Sequence, residues 1–148
     1  MATQVKPIPD GFQTVTLYLI ADDAAKQIDF LTRAFDAKED HRSTLPDGSV
    51  IHAELQVGTS RIMLGQANQA WGSRRSTVYL YVPDADETFR RAVSAGAKPL
   101  SEPQDQFYGD RSGGVEDPCG NYWWIATHVE DVSHEESDRR FAAMGHKH

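Results

Sequence analysis

The 148-residue chain is long enough for one domain with a buried core, and its 39% hydrophobic and 25% charged residues exclude a disordered or fibrous protein. Fifteen Lys and Arg against 22 Asp and Glu give a formal charge of −7, which disfavours a general nucleic-acid binder, because phosphates attract a basic surface. A single cysteine, Cys119, excludes an internal disulfide and a multi-cysteine zinc site. Since no segment resembles a membrane span or a signal peptide, we expect no membrane partner and a cytoplasmic location.

The first half of the chain reads as a strand, a helix and further strands. Alternation over 15–20 predicts the first strand. A helical stripe follows, formed by Ala24, Ile28, Leu31 and Phe35. Pro46-Asp47-Gly48 predicts a turn, after which 50–57 alternates again and Gly58-Thr59 turns into a strand over 60–64. Residues 66–75 are rich in Gly, Asn, Gln and Ser and predict a linker.

The second half repeats this order. Thr77-Val78-Tyr79-Leu80 matches Thr16-Leu17-Tyr18-Leu19, 61 positions earlier. Asp84 and Glu87 predict a capped helix start, and Gly96 is typical of a left-handed helix end. The buried stripe of this helix is predicted to contain Ala85, Phe89, Ala92 and Val93. The turn Asp117-Pro118-Cys119-Gly120 then leads into a strand over 121–127.

The repeat predicts an internal duplication and therefore an α+β fold of two βαβββ modules. Module one spans about residues 12–65, module two about 76–128, with the linker at 66–75 between them. In the tail, Ser133 and Glu136 form a capping box that predicts a short helix over about 133–144. We treat 1–148 as a single domain.

Strand alternation separates an apolar face from a polar and aromatic one. The face predicted to meet the helices contains Val15, Leu17, Leu19, Ile51, Ala53, Leu55, Val57, Val78, Leu80, Val82, Trp123 and Ile125. The opposite face contains Thr16, Tyr18, His52, Glu54, Gln56, Thr77, Tyr79, Tyr81, Tyr122 and Trp124. A mixed polar and aromatic face is typical of a ligand cavity.

With these residues in place, the sequence resembles the glyoxalase/bleomycin-resistance/dioxygenase (vicinal oxygen chelate) superfamily over about residues 10–132, and most closely its PhnB-like branch. The motifs that carry the resemblance are Ala34-Phe35-Asp36-Ala37, His52-Ala53-Glu54-Leu55, Tyr108-Gly109-Asp110-Arg111, Asp117-Pro118-Cys119-Gly120 and Trp124-Ile125-Ala126-Thr127-His128. The resemblance implies sheets that curl around a cavity, with the helices on the outside. It also implies a homodimer, and it leaves undecided whether the two subunits exchange strands. It does not imply one function, because this fold hosts lyases, isomerases, dioxygenases and drug-sequestering proteins.

The resemblance also places metal ligands of the family at four positions. Carried over, the two first-strand positions become Thr16 and Thr77, and a later one becomes Trp124. Only the fourth position, on the strand with His52 and Glu54, retains a side chain that can bind a metal. Because threonine is a poor ligand and tryptophan is none, we expect no metal and no cofactor.

His52 and Glu54 point the same way because they lie two residues apart on a strand. One interpretation is a solvated polar pair. The other is a ligand-polarising or acid–base pair, which makes both residues the catalytic candidates.

The aromatic residues of the cavity face have two interpretations as well. They stack a planar ligand or surround a cation, or they fill a groove or a dimer interface. These residues are Tyr18, Tyr79, Tyr81, Tyr122 and Trp124.

Arg111, predicted on a loop, either clamps an anion or pairs with Asp110 or Glu116. Cys119 has no visible base and is not expected to react. The tail histidines are expected to be solvent-exposed: His128, His134, His146 and His148.

Three functions follow from these patterns. The first is a small-molecule-binding protein of the sequestering or resistance type, whose ligand is aromatic or cationic. The second is an enzyme of the lyase or dioxygenase type, metal-dependent with unconventional ligands or metal-free through His52 and Glu54. The third is an interaction protein that binds no ligand and whose function depends on the dimer itself.

Overall fold

The computed structural model describes residues 5–145, and the chain divides into two compact units, Met1–Ser76 and Thr77–His148. The first unit contains β1 (Tyr18–Ala21), α1 (Ala24–Phe35), β2 (Lys38–Thr44), β3 (Val50–Val57) and β4 (Ser60–Gln66). The second contains β5 (Thr77–Tyr81), α2 (Ala85–Ser94), β6 (Lys98–Asp105), β7 (Asp110–Glu116), β8 (Tyr122–His128) and α3 (His134–Ala143). The predicted fold class of two βαβββ modules and a tail helix is confirmed.

Each unit folds its strands into a four-stranded mixed sheet with the same order. The first sheet runs β1-β4-β3-β2 and the second β5-β8-β7-β6. In both, the first strand pairs in parallel with the last, and the remaining pairs are antiparallel. The registers correspond, since Tyr18 pairs with Met63 as Tyr79 pairs with Trp124.

Aspartate and serine side chains start the helices where the sequence predicts them. Asp84 accepts a hydrogen bond from the Glu87 N–H, and Ser133 accepts one from the Glu136 N–H. The two repeated helices end differently. Gly96 has φ of +112° after α2, whereas α1 ends at Asp36 with φ of +57°, a conformation that aspartate tolerates better than most residues.

The core of each unit lies between its helix and one face of its sheet. The predicted stripe of α1 is buried throughout, and so is that of α2 except Val93, which is 37% exposed. From the sheets, Leu19, Ala53, Leu55, Trp123 and Ile125 are buried as predicted. Within residues 5–145, no helix combines the length and the apolar character that crossing a bilayer requires.

The turn motif at Asp117 supports this core. The Asp117 carboxylate is buried and accepts hydrogen bonds from the backbone N–H groups of Cys119 and Asn121. It also accepts one from the indole N–H of Trp123 at 2.8 Å. The largest fully buried side chain of the protein is therefore held to the turn that precedes its own strand.

The alternation over 15–20 and 50–57 misplaced four residues. β1 begins at Tyr18, so Val15 lies before the strand and is 84% exposed. Thr16 and Leu17 also precede the strand, and the Thr16 hydroxyl donates to the Gln13 carbonyl. Ile51 was predicted to face the helix, but a bulge between β2 and β3 shifts the phase there, and Ile51 is exposed.

Candidate functional site

A cavity of about 410 Å³ opens in the first unit. Its lining comes from β1, β3, β4 and the segment that follows β4: Tyr18, Ile20, Ile51, Gly65, Gln66, Asn68 and Trp71. Three of these side chains are large, apolar or aromatic, and exposed, since Tyr18 is 47%, Ile51 44% and Trp71 67% accessible. Leaving such surface in water is unfavourable, so a concave cluster of this kind favours a bound molecule.

The ring of Tyr18 lies over Gly65, which belongs to the neighbouring strand. A Cβ at position 65 would stand 2.9 Å from the Tyr18 hydroxyl oxygen and 3.0 Å from its Cε1, closer than van der Waals contact. Only glycine therefore lets the tyrosine ring cross β4. The hydroxyl reaches β3, where it lies 3.1 Å from Nδ1 of His52.

His52 and Glu54 are brought together, as their spacing predicts. Nε2 of His52 lies 3.4 Å from a carboxylate oxygen of Glu54, and both side chains are about a quarter exposed. Because Glu54 can only accept, Nε2 carries the hydrogen and Nδ1 accepts from the Tyr18 hydroxyl. Tyr18, His52 and Glu54 thus form a hydrogen-bonded chain that begins at the cavity wall.

The segment after β4, predicted as a linker, is a loop whose conformation is held by hydrogen bonds. Asn68 accepts hydrogen bonds from the N–H groups of Ala70 and Trp71, and its own N–H donates to the Trp71 carbonyl at 2.8 Å. Gln66 accepts from the Ala24 N–H and donates to the Asp22 carbonyl. These bonds hold Trp71 beside the cavity and fasten the loop to the start of α1.

The second unit has a different centre, the carboxylate of Asp110. It is 2% exposed, and its Oδ2 accepts from the hydroxyls of Tyr79 at 2.7 Å and Tyr81 at 2.8 Å. Its Oδ1 lies 2.9 Å from Nδ1 of His128, whose Nε2 lies 2.8 Å from Asp131. Both ring nitrogens of His128 therefore face carboxylates, which favours the imidazolium form.

Burial and hydrogen bonding oppose each other at this centre. Burial disfavours the charged form of Asp110, but the hydrogen bonds from His128, Tyr79 and Tyr81 outweigh it, and the pKa of Asp110 lies below its ordinary value. The pKa of His128 is raised by its hydrogen bonds to Asp110 and Asp131. The pKa of Tyr79 is raised by burial and then by its bonds to Tyr108 and Asp110, so this hydroxyl stays a donor.

Arg111 lies on strand β7, not on a loop as predicted. Its guanidinium makes a two-point contact with Asp86 of α2, at 2.8 and 3.0 Å, and a third contact with Asp105 at 3.2 Å. An ion pair is therefore present, but with partners other than the predicted Asp110 and Glu116. Since all three nitrogens are engaged on the helix side of the sheet, the structure does not bring Arg111 to the tyrosines.

The remaining predicted residues lie on β8. Tyr122 and Trp124 share one face, and the Trp124 indole covers Gly114, where a Cβ would approach its Cε3 to 2.7 Å. Of the tail histidines, His134 is exposed and His128 is half-exposed but hydrogen-bonded. His146 and His148 lie outside the described residues.

The positions at which the resemblance implies metal ligands do not fit a metal here. The Thr16 hydroxyl is bonded to a backbone carbonyl, and Trp124 cannot ligate. The matching registers place Met63, on β4, at the position of the first unit that corresponds to Trp124, which corrects the assignment to the His52 strand. In the part of the chain from 5 to 145, no three His, Cys, Asp or Glu side chains are grouped to hold an ion.

Sequence reasoning missed several residues of these two sites. Trp71 lies within the predicted linker and was not predicted as a site residue. A tryptophan among small polar residues nevertheless indicates a residue that contacts a ligand or another part of the protein. The sequence predicts Asp110 only as a partner of Arg111, and Tyr108 only as part of a motif. Their roles depend on contacts between strands 18 to 31 residues apart in the chain.

Three comparisons place the chain among known proteins. The sequence model of the Glyoxalase/Bleomycin resistance protein/Dioxygenase superfamily matches residues 12–125. An uncharacterized protein of Mycobacterium tuberculosis (strain ATCC 25618 / H37Rv) is 35% identical over 156 residues, covering 98% of this chain and 88% of the relative.

Among solved structures, TioX from Micromonospora sp. ML1 is 28% identical with a TM-score of 0.68, covering 79% of this chain and 99% of that one. A PhnB protein from Bacillus cereus is 18% identical with a TM-score of 0.58, covering 78% and 99%.

Proposed function

Because this chain belongs to the Glyoxalase/Bleomycin resistance protein/Dioxygenase superfamily, we propose that it is a small-molecule-binding protein of the sequestering type, and that its ligand is a planar aromatic molecule. The ligand occupies the cavity of the first unit. We also assign the chain to the PhnB-like branch and expect a homodimer.

One observation carries this proposal, the exposed aromatic and aliphatic lining of the cavity. A volume of about 410 Å³ suits a molecule of one to three rings. Tyr18 and Trp71 offer ring faces, and Ile20 and Ile51 offer aliphatic walls. The lining residues carry no formal charge, so shape and stacking, rather than ion pairing, select the ligand.

A titration of two neutral probes tests the proposal. 2-Naphthol is planar, and cyclohexanol carries the same hydroxyl on a puckered aliphatic ring. We expect saturable quenching of tryptophan fluorescence by 2-naphthol and an affinity for cyclohexanol that is weaker by about tenfold or more.

Variants assign the binding to the cavity. Trp71→Ala is expected to weaken 2-naphthol binding by about tenfold, measured by calorimetry because the variant lacks the reporting indole. Leu45→Ala removes another exposed apolar side chain of the same unit, one that does not line the cavity, and is expected to leave 2-naphthol binding unchanged. Equal binding of both probes, or equal loss in both variants, would contradict the proposal.

A second candidate function is proton transfer, favoured by the chain of hydrogen bonds from Tyr18 to Glu54. In this scheme the Tyr18 oxygen takes a proton from a carbon next to a substrate carbonyl while its own proton passes to Nδ1 of His52. The substrate becomes an enolate, and the Glu54 carboxylate stabilises the new imidazolium through Nε2. Return of the proton at another atom isomerises the substrate.

Exchange of deuterium from solvent separates this candidate from simple binding. The protein is incubated in D₂O with small α-hydroxy ketones, and loss of the proton signal is followed by NMR. The candidate requires exchange that Tyr18→Phe and His52→Ala both abolish. Exchange at the uncatalysed rate with the unmodified protein leaves binding as the function.

A further inference from the structure

The second unit presents three tyrosine rings to solvent while their hydroxyl groups are engaged inward. Tyr79 is 42%, Tyr81 62% and Tyr108 36% exposed. The hydroxyls of Tyr79 and Tyr81 donate to Asp110, and the hydroxyl of Tyr108 lies 3.1 Å from that of Tyr79. A ligand at this surface would therefore contact the faces of the tyrosine rings rather than their hydroxyl groups.

The rings of Tyr79 and Tyr81 lie close together and are inclined to each other. Their centroids are 5.2 Å apart and their planes meet at 58°, so the two rings are not stacked face to face. Ala126 pairs with Tyr81 in register and is fully buried. A side chain this small lets the tyrosines reach across β8 to Asp110 on the next strand.

The charge behind the rings is negative. Asp110 is buried beneath the tyrosines, and a carboxylate in a protein interior is screened less than one in water. Tyrosine ring faces are themselves electron-rich. The cation in contact with Asp110 is the His128 imidazolium, which lies between Asp110 and Asp131, so these three groups together keep one net negative charge. Arg111 and Arg140 are engaged elsewhere, since Arg111 contacts Asp86 and Arg140 contacts Glu130 and Glu136.

We propose that Tyr79, Tyr81 and Tyr108, with Asp110 beneath them, form a binding site for a compact organic cation such as a quaternary ammonium group. An anion is repelled by the carboxylate. An inorganic cation requires oxygen ligands, and both oxygens of Asp110 already accept hydrogen bonds. A cation without hydrogen-bond donors needs only ring faces and a negative field.

Choline and its neutral isostere 3,3-dimethylbutan-1-ol test the proposal, because they differ in charge and hardly in shape. Binding of each is followed by ¹H–¹⁵N correlation spectra of the full-length protein. We expect choline to bind about tenfold tighter or more, with shifts at Tyr79, Tyr81 and Tyr108. Equal affinity for the two probes, or no saturable shift with choline, overturns the proposal.

Variants separate the ring face from the hydrogen-bond network. Tyr81→Leu removes a face and is expected to weaken choline binding by about fivefold or more, whereas Tyr81→Phe keeps the face and stays within about threefold of the unmodified protein. Leu100→Ala, an exposed apolar position on β6, is expected to have no effect. Tyr108→Leu provides a second test at the turn if Tyr81→Leu lowers the melting temperature.

Two results would refute the role of the ring faces. A loss in Tyr81→Phe as large as that in Tyr81→Leu would show that the hydroxyl, not the face, matters. Dissociation of an oligomer in Tyr81→Leu, seen by sedimentation without any change in choline binding, would show that the tyrosines contact a second copy of the chain instead.

Discussion

The Tyr18 ring lies across Gly65 so closely that a Cβ at position 65 would stand 2.9 Å from the tyrosine hydroxyl oxygen. The glycine thus sets the position of an aromatic wall of the cavity and of the first group in the chain to His52.

The glycine gives the first prediction. In Gly65→Ala the methyl group displaces the tyrosine ring, and because the ring can swing toward solvent, we expect stability to change little. Affinity for 2-naphthol is expected to fall about fivefold. Gly72→Ala is the control, since a Cβ there meets nothing within 4 Å. Unchanged affinity in Gly65→Ala would mean that Tyr18 is not a wall of the binding site.

Asn68 is expected to act through Trp71. Asn68→Ala removes the acceptor for the N–H groups of Ala70 and Trp71, so the loop loosens and the indole is less well placed. We expect 2-naphthol to bind about threefold or more weakly, and the fluorescence anisotropy of Trp71 to fall. Gln69→Ala, in the same loop, should match the unmodified protein. Full affinity in Asn68→Ala would show that Trp71 needs no such support.

The Asp117 turn is expected to matter for stability rather than for binding. Asp117→Ala leaves the indole N–H of Trp123 and two backbone N–H groups without their buried acceptor. We expect the free energy of unfolding in urea to fall by about 2–4 kcal/mol. Asp47→Ala, which removes an exposed turn aspartate bonded to Ser49, should lower the free energy of unfolding much less than Asp117→Ala does. Similar losses in both variants would contradict the supporting role of Asp117.

The pH dependence of stability follows from the pair of Asp110 and His128. The pKa of His128 is raised above 6.5, so its contribution is complete below that pH and is lost as pH rises through the raised value. The pKa of Asp110 is lowered below 3.8, so its contribution is present above that pH and is lost as pH falls through the lowered value. The groups facing this pair are Asp131 beyond β8, Tyr79 and Tyr81 on β5 and, through Tyr79, Tyr108.

Urea unfolding between pH 5 and 9 measures this effect. The stability advantage of the unmodified protein over His128→Gln should be largest near pH 5–6 and shrink toward pH 9. His134→Ala, at the exposed start of α3, should track the unmodified protein at every pH. An advantage over His128→Gln that does not vary with pH would show that the imidazolium is not the stabilising form.

Local sequence patterns predicted most of the fold, because each pattern depends on only a few neighbouring residues. Asp84 with Glu87 and Ser133 with Glu136 start helices where predicted, and alternation gives strand β3 its bounds. Alternation failed at Ile51, because a bulge depends on the partner strand and leaves no trace in the strand's own sequence. The prediction that Val15 belongs to the first strand was wrong, because the strand begins three residues later.

The sites were less predictable, because they join distant segments. Spacing alone placed His52 beside Glu54, but the contact with Tyr18 requires the register of β1, β4 and β3. Tyr79 and Tyr81 were assigned correctly to one face, yet the buried acceptor that orients them lies two strands away. Trp71 belongs to a loop whose conformation depends on the side chain of Asn68.

Binding of a planar aromatic ligand in the cavity of the first unit is tested most directly by locating bound 2-naphthol in ¹H–¹⁵N correlation spectra of the labelled full-length protein. We expect saturable shifts centred on the Trp71 indole N–H and on the backbone amides of Gly65, Ile51 and Ile20, with a single affinity. Shifts confined to the second unit, or no saturable shift at all, would contradict binding in this cavity.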